Sequence, residues 1–186
     1  MVIESYRESW IADFNALQAV LEEALALLPI TFEHIGSTSV PGLAAKPLID
    51  IDLIFDQRVA FTEIKSRLAL VGYRHVGNQG ISGREVFKRG QTIDMHSLLD
   101  SIPHHLYGCR EGSSEVHKHR LFRDYLIAHE EARIHYQQLK YALAQEANQD
   151  RKRYAQLKEQ KATVFIDGIV EMARNEQMQA PTNRPR

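Results

Sequence analysis

The feature that most constrains this fold is an apolar run, Leu48–Phe55 (LIDIDLIF), which two aspartates interrupt. A short apolar run of this kind predicts a buried strand. Because side chains alternate between the two faces of a strand, its odd-numbered residues share one apolar face. Asp50 and Asp52 both emerge on the other face, roughly 7 Å apart at the backbone. The sequence therefore predicts a strand that carries two neighbouring carboxylates on one side.

The paired carboxylates need a positively charged partner, because like charges this close repel each other and each resists burial. One explanation is structural: an arginine or lysine neutralises each carboxylate. The other is a Mg²⁺ ion, or Mn²⁺ in its place, since Mg²⁺ prefers carboxylate oxygens together with phosphate oxygens. The neighbouring sequence bears on this choice.

A hydroxyl-rich turn upstream favours the metal. Gly36 lets the backbone approach a ligand closely. Ser37, Thr38 and Ser39 offer hydroxyl groups and consecutive N–H groups that suit a phosphate. Lys46 is the candidate charge partner of that phosphate. Either motif alone is more often structural, but together the turn and the Asp-x-Asp strand predict a metal–phosphate site.

The remaining pattern predicts an α+β fold. Apolar side chains at three- and four-residue steps predict an N-terminal helix that ends at Pro29. Further strands are predicted at Thr31–Ile35, Tyr73–Val76, Arg84–Arg89, Ile93–Leu99 and His104–Cys109, and a helix at Arg58–Val71. After Ser113 the spacing predicts three helices. This order favours a mixed β-sheet flanked by helices, with a helical C-terminal portion.

Composition argues against several classes of protein. The 23 basic and 24 acidic residues leave a formal net charge of −1, which is unlike a non-specific nucleic-acid binder. Cys109 is the single cysteine, so a disulfide framework is impossible, and the thiol is expected to be buried. The apolar runs are far shorter than a membrane span, and no signal peptide is visible. We expect a cytoplasmic protein that is not bound to a membrane.

Four segments resemble the GrpB family, whose members are similar to the nucleotidyltransferase superfamily. The most specific is HIGSTSVPGLAAKPLIDIDL at 34–53, and the others are GREVFKR at 83–89, HHLYGC at 104–109 and LFRDYL at 121–126. The resemblance implies one GrpB-like domain over residues 1–174. Its nucleotidyltransferase-like core would span 1–110 and its helical portion 111–174. The polar segment that follows contains two prolines and predicts a disordered tail at 175–186.

The superfamily resemblance implies Mg²⁺-dependent transfer of a nucleotidyl group from a nucleoside triphosphate to an unknown small acceptor. In that scheme a Gly-Ser turn holds the triphosphate, and two acids on the next strand bind the metal. Gly36, Ser37, Asp50 and Asp52 match these positions.

The same scheme requires a third acid on a later strand, and here two candidates stay open. Asp94 lies in an apolar context, TIDM, and is the candidate third metal ligand. Alternatively, His104 or His105 of the HHLYGC segment replaces the acid. His105 would then act as a general base, since histidine titrates near neutral pH.

Other interpretations of the chain also stay open. Without a third acid, the protein would be a catalytically degenerate module that binds a nucleotide or a coenzyme A precursor. In either case Arg84 is a candidate ligand of phosphate. Lys88 lies four residues further along the predicted strand and would point to the same face. A third class is an interaction protein whose amphipathic helices bind another chain. A zinc site is disfavoured, because His117 and His119 do not face the same side of a helix.

Overall fold

The computed structural model describes residues 1–90 and 96–179, which form seven α-helices and five strands. The helices are α1 Ser9–Ala24, α2 Phe61–Leu70, α3 Ser97–Ser101, α4 Ser114–Ala128, α5 Glu130–Glu146, α6 Arg151–Lys161 and α7 Thr163–Gln179. The strands are β1 Ile30–Ile35, β2 Ile49–Phe55, β3 Tyr73–His75, β4 Arg84–Arg89 and β5 His104–Arg110. This is the α+β fold that the sequence predicts. Within the described residues, no helix combines the length and apolar character needed to cross a membrane.

The strands form one mixed sheet in the order β1-β2-β5-β4-β3. Strand β2 pairs antiparallel with β1 and parallel with β5, so the Asp-x-Asp strand lies inside the sheet. In this register Asp50 lies opposite His105 of β5, and Asp52 lies opposite Tyr107. The sheet therefore gathers polar side chains from β2 and β5 on one face.

The other face of the sheet is covered by apolar helices. Trp10, Leu17 and Leu21 of α1 pack in one buried cluster with Ile51 and Leu53 of β2. Full burial of each such side chain contributes roughly 1.5–3 kcal/mol. The apolar face predicted for β2 is thus the face that holds α1 against the sheet.

The helical half forms a second core with parts of the N-terminal half. Buried residues of α4 to α7 pack with Val2 and with Val40 and Leu43 of the β1–β2 loop. Hydrogen bonds strengthen the connection, because the Ala44 N–H donates to the Gln137 side chain at 2.7 Å. The helices are therefore fixed to the loop that carries the hydroxyl-rich turn.

The larger differences from the prediction concern helix α3, the last two helices and the C-terminal tail. The predicted strand Ile93–Leu99 is wrong at its end, where Ser97–Ser101 is the helix α3 and buries Leu99 against α1. Short apolar runs do not distinguish strand from helix. The predicted third C-terminal helix is two helices, α6 and α7, which meet at the buried Ala162.

The predicted disordered tail also begins too early. Helix α7 continues through Gln179, because the segment NEQMQ at 175–179 contains helix-favouring residues and no proline or glycine. Residues 180–186, the rest of that predicted tail, lie outside the described residues, as do residues 91–95 with the candidate ligand Asp94.

Candidate functional site

A cavity of about 420 Å³ lies between the polar face of the sheet and the helical half. The sheet contributes Asp50, Arg84, His105 and Tyr107. The β1–β2 loop contributes Gly36, Ser37, Thr38 and Lys46, and the helices contribute residues that include His119, Phe122, Lys140, Tyr154, Lys158 and Ile166. The cavity therefore combines the predicted turn and carboxylate with a wall of basic and aromatic side chains.

Gly36 places the turn directly against the carboxylate of Asp50. Its φ of 72° lies in the left-handed region, which glycine adopts without strain. A Cβ atom at this position would lie 2.5 Å from Asp50 Oδ2, far inside van der Waals contact. Only glycine lets the backbone approach the carboxylate this closely.

The hydroxyl groups of the turn are partly used to hold it in place. The Ser39 hydroxyl donates to the Gly36 carbonyl at 2.6 Å, within the turn itself. The buried Thr38 hydroxyl donates to the Leu48 carbonyl at 3.2 Å and lies 3.0 Å from His34 Nε2. Burial lowers the pKa of His34 to about 4, so the ring is neutral at pH 7 and supports the turn without adding charge.

Asp50 is the carboxylate that reaches the cavity, and it is paired with a histidine. Its Oδ1 atom accepts a hydrogen bond from His105 Nδ1 at 2.9 Å and one from the Tyr107 hydroxyl at 3.4 Å. Burial, and then the charge of Asp50, raise the pKa of Tyr107, so its hydroxyl remains a donor. On the neighbouring strand β5, the residue opposite Asp50 is thus a histidine and not an acid.

Asp52 lies deeper than Asp50 and is not among the described residues that line the cavity. Only 1% of its side chain is exposed, and its Oδ2 accepts a hydrogen bond from His119 Nδ1 at 2.8 Å. Burial raises the pKa of Asp52, and the bond to His119 opposes that rise. Among residues 1–90 and 96–179, the second carboxylate is therefore paired with a histidine of α4, and not with an arginine or lysine.

Four basic side chains from four parts of the chain border the cavity: Lys46, Arg84, Lys140 and Lys158. The Arg84 guanidinium lies over the Tyr107 ring, 4.8 Å from its centroid. Lys140 is buried and donates to the Ala44 carbonyl. Burial, and then Lys158, lower the pKa of Lys140 well below its usual range. Lys46, Arg84 and Lys158 concentrate positive charge opposite Asp50 and the turn, whereas burial opposes the charged form of Lys140.

Two buried donors at the cavity have no hydrogen-bond partner among the described residues. They are the Tyr154 hydroxyl and the Arg84 Nε–H. Burial raises the pKa of Tyr154 to about 12, so its hydroxyl carries a proton at neutral pH. Buried polar groups nearly always have a partner, and an oxygen-rich ligand in the cavity would supply one.

The predicted site residues divide into two groups. Gly36, Ser37, Thr38, Lys46, Asp50, Arg84 and His105 all line the cavity. The Ser39 hydroxyl instead closes the turn, and Asp52 lies behind His119. His104 points to the opposite face of the sheet, where it bonds to Tyr73, and Lys88 is exposed.

Several side chains at the cavity were not among the predicted site residues, and His119, Lys140 and Tyr154 are examples. Lys140 carries a signal in the sequence, since it shares the apolar face of α5 with Tyr136 and Leu143. His119 carries none, because it lies 67 residues from Asp52 and the two meet only through the fold.

Comparisons with known proteins agree with this architecture. The family model described as GrpB protein matches residues 1–170. The chain belongs to the GrpB family. A curated relative, the UPF0157 protein YqkA of Bacillus subtilis, is 32% identical over 155 residues, which cover 83% of this chain and 43% of YqkA. The chain thus spans less than half of that relative.

Solved structures share the fold of this GrpB family member. The crystal structure of GrpB from Enterococcus faecalis has a TM-score of 0.77 and 28% identity, and covers 96% of this chain and 100% of its own. The Cid1 poly(U) polymerase, in a structure described as bound to MgGTP, has a TM-score of 0.55 and 16% identity. That match covers 76% of this chain and 44% of Cid1. It shows a shared nucleotidyltransferase-like fold for this member of the GrpB family.

Proposed function

We propose that the cavity binds a nucleoside triphosphate and that the protein transfers its nucleotidyl group to a small hydroxyl-bearing acceptor. The observation that carries this proposal is the convergence of the Gly36 turn, the Asp50 carboxylate and four basic side chains on one cavity. The Cid1 polymerase, with the same fold, is described as bound to MgGTP, which makes a nucleotide the first ligand to test.

The charges around the cavity favour a polyanion. Among the described lining residues, Lys46, Arg84 and Lys158 outnumber the two acidic ones, Asp50 and Glu159, even without Lys140, whose pKa is lowered by burial. Phosphate oxygens would pair with these cations and would accept hydrogen bonds from the unpartnered Arg84 and Tyr154 groups. Bringing so much positive charge into a half-closed space is costly unless an anion offsets it.

The residues present fit a Mg²⁺ ion, or Mn²⁺, through Asp50. Mg²⁺ sites in proteins commonly use one or two carboxylates together with substrate phosphates. Asp50 faces the cavity beside the turn, whereas Asp52 lies behind His119, which bonds to its Oδ2 atom. When bound, the metal would orient the phosphates and reduce their charge.

In the proposed reaction the acceptor oxygen attacks the α-phosphorus, and pyrophosphate leaves with the bond between the α- and β-phosphates broken. Lys46 and Arg84 hold the leaving phosphates, together with the cavity lysines of α5 and α6, which are Lys140 and Lys158. His105, which lies 2.9 Å from Asp50, is the candidate to take the proton of the acceptor hydroxyl. Asp94 stays a candidate third metal ligand outside the described residues.

The test is a panel of four labelled nucleoside triphosphates with Mg²⁺ or Mn²⁺. Binding is measured by calorimetry and turnover by pyrophosphate release. We expect Asp50→Asn to weaken metal-dependent binding about tenfold or more, because it removes the charge that faces the cavity. Asp167→Asn, which makes the same change at an exposed carboxylate paired with Lys118, should bind like the parent protein. Equal binding by both variants would contradict the proposal.

A binding module without turnover is the second candidate. Within residues 1–90 and 96–179, no three His, Cys, Asp or Glu side chains are grouped so as to hold a metal ion. What supports this candidate is the imidazole of His105, which lies beside Asp50 on β5 where the transferase scheme calls for an acid. The same panel, extended with dephospho-coenzyme A as a coenzyme A precursor, separates the two functions. Tight binding without pyrophosphate release supports the module, and pyrophosphate release excludes it.

A further inference from the structure

Asp50 and Asp52 share a strand face but not an environment. The Asp50 side chain is 25% exposed and borders the cavity, whereas only 1% of the Asp52 side chain is exposed. Helix α4 produces this difference, because His119 lies between the Asp52 carboxylate and the cavity. A ligand that enters the cavity therefore meets the imidazole of His119 where the strand pattern alone predicts a carboxylate.

Among the described residues, His119 is the one strong hydrogen-bond partner of the Asp52 side chain. The bond joins Asp52 Oδ2 and His119 Nδ1 at 2.8 Å, while the Cys109 thiol is 3.9 Å from Oδ1. Glu33, which lies opposite Asp52 on β1, is itself paired with Arg120 and Arg123 and does not compete for His119.

An ionised carboxylate only accepts hydrogen bonds, so in the pair of an ionised Asp52 and a neutral His119 the 2.8 Å contact requires the proton on Nδ1. The other ring nitrogen, Nε2, is then an acceptor. It lies 3.9 Å from Glu115 Oε2, too far for a hydrogen bond, and bonds to none of the described residues. The ring is therefore fixed in the cavity wall with one acceptor nitrogen available for a hydroxyl or N–H group of a ligand.

We infer that Asp52 is a positioning residue that acts through His119, and that His119, rather than Asp52, is the side chain that contacts the bound nucleotide. The identity of the ligand rests on the proposed function, but the role of Asp52 does not. The inference differs from the pattern in the sequence, which assigns both aspartates to the metal.

The role of Asp52 is tested by nitrogen NMR of the full chain labelled at histidine. The His119 signals are assigned from their loss in His119→Asn. We expect the Nδ1–H tautomer, and we expect it to persist when Mg²⁺ is added to saturation. Asp52→Asn, whose amide can donate to Nδ1, should move the proton to Nε2, as an acid-to-amide change does in other carboxylate–histidine pairs. An Nε2–H tautomer in the parent protein, or a change of tautomer on adding Mg²⁺, would overturn the inference.

The role of His119 is tested by a matched set of variants with ATP, GTP, CTP and UTP as probes. Asparagine resembles the Nδ1 side of histidine and glutamine the Nε2 side. We expect His119→Asn to keep the bond to Asp52 but to weaken nucleotide binding about tenfold, whereas His119→Gln retains more of the affinity. His117→Asn, on the exposed side of the same helix, should bind like the parent protein.

The outcomes separate this inference from the proposed function. If nucleotides bind but His119→Asn binds them as tightly as the parent protein does, the contact is overturned and the function stands. If no nucleotide binds, the proposed function and the His119 contact both fail. The NMR titration with Mg²⁺ still decides whether Asp52 acts through His119.

Discussion

At the scale of single residues, Gly36 is the position where backbone conformation and site chemistry depend on each other most directly. Its left-handed φ and its contact with Asp50 are separate constraints, and Gly112 offers a control that has only the first. Gly112 has a φ of 74° and open space where a Cβ would lie, whereas a Cβ on Gly36 would clash with Asp50.

We therefore expect Gly112→Ala to cost about 1–2 kcal/mol of unfolding free energy, from left-handed strain alone. Gly36→Ala should cost more and should also displace Asp50, so that nucleotide binding weakens. Urea denaturation and calorimetry measure the two effects. Equal losses of stability in both variants, with binding unchanged in Gly36→Ala, would show that the contact with Asp50 has no role.

The contacts of single site residues can be predicted where those residues lie close together in the sequence. The turn and Asp50 lie within 15 residues, 36–50, so a pattern alone indicates that they meet. The partners of the carboxylates were not predictable in this way. His105 reaches Asp50 through strand pairing, and His119 reaches Asp52 through helix packing, and neither contact leaves a periodic signal in the sequence.

At the scale of elements, the contact between α4 and the edge strand β1 determines where His119 lies. Glu33 of β1 accepts hydrogen bonds from Arg120 and from Arg123, the latter at 3.0 Å, and Arg123 also donates to the His34 carbonyl at 3.1 Å. Burial opposes ionisation of Glu33, but the two arginines lower its pKa overall. The acid is therefore charged and bound to both arginines at neutral pH.

Glu33→Gln should loosen this contact and lower the unfolding free energy by about 1–3 kcal/mol, because it removes the charge that Arg120 and Arg123 share. The partly buried Arg123 then keeps only the exposed Asp124 as a charged partner. Asp167→Asn breaks an exposed pair between α7 and α4 and should cost about 1 kcal/mol or less. Chemical denaturation compares the two variants. A loss in Glu33→Gln no greater than in Asp167→Asn would mean that the arginines serve another purpose.

The elements themselves were largely predictable, with informative exceptions. Strand β2 and helix α1 follow from strong periodicity, and both are present. The pattern predicts a strand where helix α3 lies, because Leu98 and Leu99 fit either structure, and packing against α1 determines which one forms. The strand order, which brings β5 beside β2, depends on long-range pairing that no local pattern specifies.

At the scale of the whole molecule, the sequence suggested a core at 1–110 and a helical portion at 111–174. The second hydrophobic cluster crosses that division. It joins residues of α4 to α7 with Val2, Ile3, Val40 and Leu43 from the N-terminal half. Separation of the halves would expose apolar side chains on both sides and open the cavity between them. The two parts are thus expected to unfold together.

We expect one cooperative unfolding transition in urea, with coincident midpoints for two signals. Fluorescence of Trp10, the single tryptophan, reports the first core, and helical circular dichroism reports mainly the second. Leu143→Ala should remove about 2–5 kcal/mol from the second core and move both midpoints equally. If only the helical signal moves, the halves unfold independently. The cavity would then be a junction between separable parts, and its ligand would be expected to hold them together.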